Sequence, residues 1–361
     1  MILALGLVWT AQSGGAVPVE GPQLAFTLQK IRFPARIVAP AYGRPTIKRD
    51  LLTSGAMGEG IQRLLGTRRD SQRFLIDSPA WSPDGSLLAL TVDVRSGPEA
   101  KTEVYVIGHD GTGLLRLTRV GDARSPVFSA DGGSLIFSRG NEPEVLQGIQ
   151  ARSSIWTIDL DGTGLRRIAG GLEGANFPAS VSPATGDVAL SRRVCRLRTF
   201  GDGFGYYEHT CRFSSLLLSL ATGSLTLIAP ESSDPSFSPD GRRIAYAKTL
   251  GYGVTAITRA SDTAGAGDPP GGIFVLDLAS GQRLRLTATK ADDRHPAWDP
   301  SGQRLSFVRD RNGTPRLLEI NADGSCKTIL PKLPPRPRVH YTYGAATWQP
   351  GLGRGAGRIA C

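Results

Sequence analysis

Pro79-Ala80-Trp81-Ser82-Pro83-Asp84-Gly85-Ser86-Leu87-Leu88-Ala89-Leu90 is the stretch whose reading decides the fold. An aromatic residue, a Ser-Pro-Asp-Gly break and an apolar-small-apolar triplet are the ingredients of a tight hairpin, in which Gly accepts the positive φ of the turn. The pattern recurs as Pro235-Ser236-Phe237-Ser238-Pro239-Asp240-Gly241 with Ile244-Ala245-Tyr246, and more loosely over 126–137, 178–190 and 296–307. The motif prolines at 79, 126, 178, 235 and 296 lie 47, 52, 57 and 61 residues apart, close to one four-stranded propeller blade each.

Each copy is followed by a second hairpin, as in Val104-Tyr105-Val106, Asp110-Gly111-Thr112-Gly113 and Leu115-Arg116-Leu117-Thr118. Two hairpins make one blade. A sixth copy is split between the chain ends: Ala346-Thr347-Trp348-Gln349-Pro350-Gly351 supplies its first half and Leu24-Ala25-Phe26 its second. The expected architecture is all-β, a single six-bladed β-propeller of four-stranded antiparallel blades over 17–351, its ring closed by pairing of the N- and C-terminal segments. Composition agrees, since 45 Gly and 25 Pro in 361 residues imply many turns, and no long amphipathic helix is evident. Gly351, Gly353, Gly355 and Gly357 imitate a phosphate-binding glycine pattern but have no helix behind them, so 352–361 reads as a flexible tail.

Trp81-Ser82-Pro83-Asp84-Gly85 with Leu88-Ala89, and the downstream Asp-Gly hairpin ending in Leu-Thr, resemble the repeat of the TolB-like (WD40-like, PD40) propeller family. The resemblance covers most of the chain. It implies a secreted or periplasmic propeller that binds proteins or envelope partners, although relatives with this fold serve many roles. An α/β domain of the kind TolB itself carries ahead of the propeller is not expected here.

Two stretches between second and third strands are unusually long, Ser191 to Arg212 and Leu250 to Gly271, and adjacent blades should set them side by side. Read as ordered loops, they offer arginines and aromatics, the residue types that dominate interfaces: Arg196, Arg198, Phe200, Phe204, Tyr206, Tyr207 and Tyr252. The alternative is an insertion that only shields the propeller mouth. Polar residues just before each motif should stand at the start of the innermost strands, by the central channel: Asp77, Asp122, Arg124, Asp234, Asp293 and His295. They would cap blade-to-blade turns or, if His295 converged with Asp293 and Asp234, support a polysaccharide lyase or hydrolase with a divalent cation in the channel. No G-x-S-x-G, H-E-x-x-H or Walker pattern occurs, and no catalytic or metal-ligating set is assigned.

Four cysteines, Cys195, Cys211, Cys326 and Cys361, can pair completely in an oxidising compartment, with three connectivities open and Cys195–Cys211 the natural first pair. Residues 1–16, an apolar run followed by small residues, resemble the end of a secretory signal. Together they point to a periplasmic or extracellular protein. Fold and the two insertions point to a protein partner, and the net charge of +10, which favours acidic partners, makes an anionic glycan the alternative. The charge is diffuse rather than a continuous stripe, which argues against nucleic acid. A monomer that does not span a membrane is expected.

Overall fold

The computed structural model describes residues 23–32, 46–54, 61–66, 74–95, 100–140, 152–200, 206–248, 253–256, 272–288, 291–311, 314–330, 339–350, 358–359 and 361. The segment 1–16 lies outside them. Every regular element they contain is a β-strand.

Strands β1 (Leu24–Arg32), β2 (Thr46–Ser54) and β3 (Gln62–Gly66) belong to blade I. Blade II is β4 (Phe74–Trp81), β5 (Leu87–Arg95), β6 (Ala100–Gly108) and β7 (Leu115–Arg116); blade III is β8 (Arg124–Phe128), β9 (Ser134–Gly140), β10 (Arg152–Asp159) and β11 (Arg166–Glu173). Blade IV is β12 (Ala175–Val181), β13 (Val188–Phe200), β14 (Tyr206–Leu218) and β15 (Leu225–Pro230). Blade V is β16 (Ser232–Phe237), β17 (Arg243–Lys248) and, after the short strand β18 (Gly253–Ala256), β19 (Gly272–Asp277) and β20 (Arg283–Arg285). Blade VI is β21 (Asp292–Trp298), β22 (Arg304–Arg311), β23 (Thr314–Asn321) and β24 (Lys327–Leu330). Last comes β25 (Val339–Trp348), which returns to blade I as its innermost strand.

The ring therefore closes as the split motif requires, with Trp348 opposite Leu24, Thr347 opposite Ala25 and Ala346 opposite Phe26. Gln349 secures the seam. Its backbone N–H donates to Gln23 O at 2.8 Å, and its side-chain amide donates to Gly85 O of blade II at 2.7 Å.

The Ser-Pro-Asp-Gly turn is built as its residue types dictate. Ser82 Oγ donates to Asp84 Oδ1 at 2.5 Å and accepts from Leu87 N at 2.9 Å, while Gly85 takes φ of 72°. A Cβ at Gly85 would stand 2.5 Å from Pro350 O, so the close approach to the closing segment also excludes a side chain. Apolar faces of neighbouring blades then pack together. Val104 and Val106 of blade II meet Phe128 and Phe137 of blade III, and Leu24 and Phe26 of blade I meet Val308 and Leu317 of blade VI. Motif tryptophans bind across two other seams, Trp81 Nε1 of blade II to Thr347 O of blade I at 3.2 Å and Trp298 Nε1 of blade VI to Ser236 O of blade V at 3.0 Å.

Motif prolines have a structural consequence at the centre. Proline cannot donate to the strand ladder, so inside a sheet it must sit at a bulge or an edge. The innermost strands of blades II to VI all slip register at or beside their proline, between Asp77 and Ala80, Arg124 and Val127, Pro178 and Ser180, Ser233 and Ser236, and Arg294 and Ala297. In four of them the residue before proline is left-handed: Ser78 and Ser125 at φ 51°, Asp234 and His295 at φ 55°.

Candidate functional site

The innermost strands enclose an axial cavity of about 770 Å³. The turn end is rimmed by the prolines of the hairpin turns, Pro83, Pro183, Pro239, Pro300 and Pro350. At the other end, where the innermost strands begin, stand Arg49, Asp77, Ser78, Ser125, Asp234 and His295. This polar mouth includes all four left-handed residues that precede a motif proline. Such backbone costs about 1–3 kcal/mol per residue and persists only where surroundings hold it. Here the holders come largely from the preceding blade: Ser125 N donates to Thr91 Oγ1 at 2.9 Å, Asp234 N to Ser191 Oγ at 2.8 Å and His295 N to Asp234 Oδ2 at 3.3 Å.

The predicted acidic residues separate into distinct environments. Asp77 lines the mouth, caps Ser78 N at 2.9 Å and pairs with Arg49 of blade I at 2.9 Å. Asp234 lines it and pairs with His295 Nδ1 at 3.3 Å across blades V and VI. Asp122 instead turns to Arg139 at 2.8 Å, and Arg124 donates to Thr102 Oγ1 at 3.2 Å. Asp293 is fully buried and held by both arms of Arg309, at 2.6 and 2.7 Å. The convergence of His295 with Asp234 and Asp293 is thus not formed, because the Arg309 guanidinium offers Asp293 a buried bidentate partner that the channel lacks. Among the described residues no three His, Cys, Asp or Glu side chains gather closely enough to hold a metal ion.

The His295–Asp234 pair carries the electrostatics of the mouth. Burial opposes charging of His295, but the Asp234 carboxylate and its hydrogen bond outweigh it, raising the imidazole above its ordinary 6.5. Burial likewise opposes charging of Asp234. The His295 charge, with donation from His295 and Ser233, nevertheless holds that carboxyl at about 2. A histidine with a raised pKa stabilises fully below its unfolded value and loses that contribution as pH rises through the folded one; a carboxyl with a lowered pKa stabilises above its unfolded value and loses it in acid. The pair is therefore most stabilising between pH 3.8 and 6.5. By NMR, the His295 ring is expected to titrate above 6.5 and to fall back toward that value in Asp234→Asn; a wild-type midpoint at or below 6.5 would refute the coupling.

Above the mouth stands the blade IV insertion, and it is not the loop expected from sequence. Strands β13 and β14 continue through it, pairing without a register break from Val188–Leu218 to Phe200–Tyr206. Ala175, the first residue of β12, lies opposite Arg193, so Val194 to Phe200 runs about 23 Å beyond the start of the innermost strand at 3.3 Å per residue. Arg196, Arg198, Phe200, Tyr206 and Tyr207 are strand residues of this hairpin; Phe204 and Tyr252 lie outside the described residues. The blade V insertion joins it, for β18 pairs with β14, Gly253 opposite Cys211 and Ala256 opposite Glu208. Arg-rich polarity masked the strands, although Val, Thr, Tyr and Phe there are β-forming residues.

Cys195 and Cys211 are directly opposed in the hairpin and joined by a disulfide. Cys326 is joined to Cys361. The tail expected to be flexible is fastened in its described residues: Ile359 N donates to Asn321 Oδ1 at 2.8 Å, Asn321 Nδ2 donates back to Ile359 O at 3.0 Å, and Arg358 pairs with Asp323. Polar side chains on the outer turn of blade VI supply what a glycine-rich tail cannot. In a Cys195→Ala/Cys211→Ala variant, proteolytic cleavage within the hairpin is expected to accelerate while the propeller melting temperature barely moves. The physical reason is that Val188 to Arg193, below the bridge, is held by β12 as well as β14. A collapse of the melting temperature would refute this independence.

Sequence reasoning missed Ser78 and Ser125 as mouth residues. The available signal was the residue just before each motif proline.

No protein-family model matches the chain. The chain is 31% identical over 138 residues, 38% of its length, to the Tol-Pal system protein TolB of Anaeromyxobacter dehalogenans strain 2CP-C, and it spans 27% of that relative's length. The crystal structure of TolB from Acinetobacter baumannii superposes with a TM-score of 0.61 at 19% identity, covering 93% of this chain and 69% of that one. The structure of putative TolB from Agrobacterium tumefaciens gives 0.51 at 18% identity, covering 87% and 90%.

Proposed function

From a chain that is a TolB-like six-bladed propeller in repeat and in fold, we infer a periplasmic binding scaffold that acts as a monomer and engages a protein partner of the cell envelope. One observation carries this reading: the two insertions of blades IV and V are joined by strand pairing and rise from the face that holds the polar channel mouth. A rigid ring that positions a composite surface above a charged cavity is built for recognition. Two disulfides agree with an oxidising compartment, and no helix among the described residues is long and apolar enough to cross a membrane. The curated relatives are named for the Tol-Pal system, which supports a protein partner over a glycan.

The test is capture from an envelope extract of the source cells, comparing the intact chain with one in which residues 194–212 are replaced by a short Gly-Ser turn. Cutting above Arg193 leaves the β12–β13 pairing intact. A partner captured by the intact chain and lost with the hairpin, at unchanged β-rich circular dichroism, is the expected result. No partner for either form would overturn the reading.

A further inference from the structure

Among the described residues the upper half of β13 is a sheet edge. Up to Arg193 the strand is paired on both sides, with β12 and β14; from Val194 to Phe200 it pairs with β14 alone among the described residues. The far side of β14 is taken by β18. The open edge thus lies on the β12 side, toward the channel, because β12 is the innermost strand of blade IV.

Register identifies the backbone groups on that edge. In antiparallel pairing, residues that exchange both hydrogen bonds alternate with residues that exchange none, and the latter stand closer, near 4.5 Å rather than 5.5 Å between Cα atoms. Cys195 and Cys211 are 4.0 Å apart and so form a pair of the second kind. By the two-residue period, Cys195, Leu197 and Thr199 turn N–H and C=O away from β14, while Arg196, Arg198 and Phe200 exchange theirs with it. The same parity holds lower down. Pro178, with no N–H to give, lies opposite Leu190, whose polar groups point to β14.

Proteins ordinarily blunt or cover an edge this long, because it templates pairing with another chain. Its surroundings select what can pair. β13 and β14 carry Arg192, Arg193, Arg196, Arg198 and Arg212 against the single acid Glu208, in a chain of net charge +10.

We propose that β13 from Val194 to Phe200 is the docking edge for an extended acidic segment of a partner protein, added as a strand in the lane that β12 occupies below. This deepens the scaffold reading and rests on it. Main-chain hydrogen bonds from Cys195, Leu197 and Thr199 supply affinity, and acidic residues at alternate positions supply selectivity beside the arginines. An added strand antiparallel to β13 runs in the direction of β12, so its C-terminal end leads to the mouth lined by Ser78, Ser125, Asp234 and His295.

The test uses the full chain and a fluorescein-labelled ten-residue peptide alternating Glu with Val and Thr, followed by anisotropy at low and high salt. Wild type is expected to bind it, more weakly as salt rises. Leu197→Pro removes an outward N–H where an edge tolerates proline, and is expected to weaken binding at least tenfold at an unchanged melting temperature. Arg196→Glu/Arg198→Glu should do the same. A peptide N-methylated at alternate amides, in the register that pairs, should fail against wild type, which keeps the idea testable if the proline variant misfolds. Absence of wild-type binding, or equal binding to the proline variant or by the methylated peptide, overturns the proposal. An envelope partner retained by Leu197→Pro but lost with the whole hairpin would sink the edge and leave the scaffold reading standing.

Discussion

Arg304→Met is expected to destabilise the propeller by about 3–5 kcal/mol, the usual consequence of removing one member of a buried ionic group and leaving its partners uncompensated. Arg304 is 1% exposed and lies between two fully buried carboxylates, with Nε 3.5 Å from Asp299 and Nη1 3.2 Å from Glu319. Its guanidinium also stands 5.4 Å from the centre of the Trp348 ring, so the cation bridges blade VI to the closing strand. Arg243, one blade earlier, lies 4.4 Å over Trp298 in the corresponding way. Denaturant unfolding of the single variant and of Arg304→Met/Glu319→Gln separates the causes. The double variant, with one buried charge fewer, should be the more stable of the two. A single variant within about 1 kcal/mol of wild type would show that the carboxylates are accommodated some other way.

Trp348→Ala should cost a similar amount, about 3–5 kcal/mol for loss of a large buried aromatic. Trp348 is 5% exposed, packs with Leu24 and Phe26, and donates from Nε1 to Ser306 Oγ at 3.1 Å. It sits where the chain ends meet, so the loss should be localised. Hydrogen exchange should show β25 and β1 losing protection before blades II to V, because the ring opens at the seam that must be made last in sequence. Uniform loss across all six blades would refute a local seam. Combined with Arg304→Met, the effect should be less than additive, since the two side chains share one contact.

Repeat, blade number and ring closure were legible in the residues themselves. Trp81 to Gly85 and its copies fix a turn chemistry that only a hairpin satisfies, and Ala346 to Gly351 with Leu24 to Phe26 announces the seam that the structure pairs. The site was legible only in part. Asp77, Asp234 and His295, one or two residues before a motif proline, line the mouth, but Asp122 and Asp293, four and three residues before theirs, turn to Arg139 and Arg309. Distance from the proline is the local part of that choice; the partner is an arginine one strand away, 17 residues on for Asp122 and 16 for Asp293, which the residues around each carboxylate do not specify.

The sequence by itself determined the periodic part of this protein: where turns fall, which residues alternate inward, and that the two ends complete one blade. These follow from short-range sterics and from hydrophobic period, which act within a few residues. Tertiary structure alone decided the rest. It turned an arginine-rich insertion into a hairpin carrying a strand from the next blade, set Ser78, Ser125, Asp234 and His295 in left-handed backbone around one cavity, and fastened Ile359 to Asn321. Each of those outcomes depends on groups distant in the chain arriving at one place, where pairing of backbone and charge outweighs local preference.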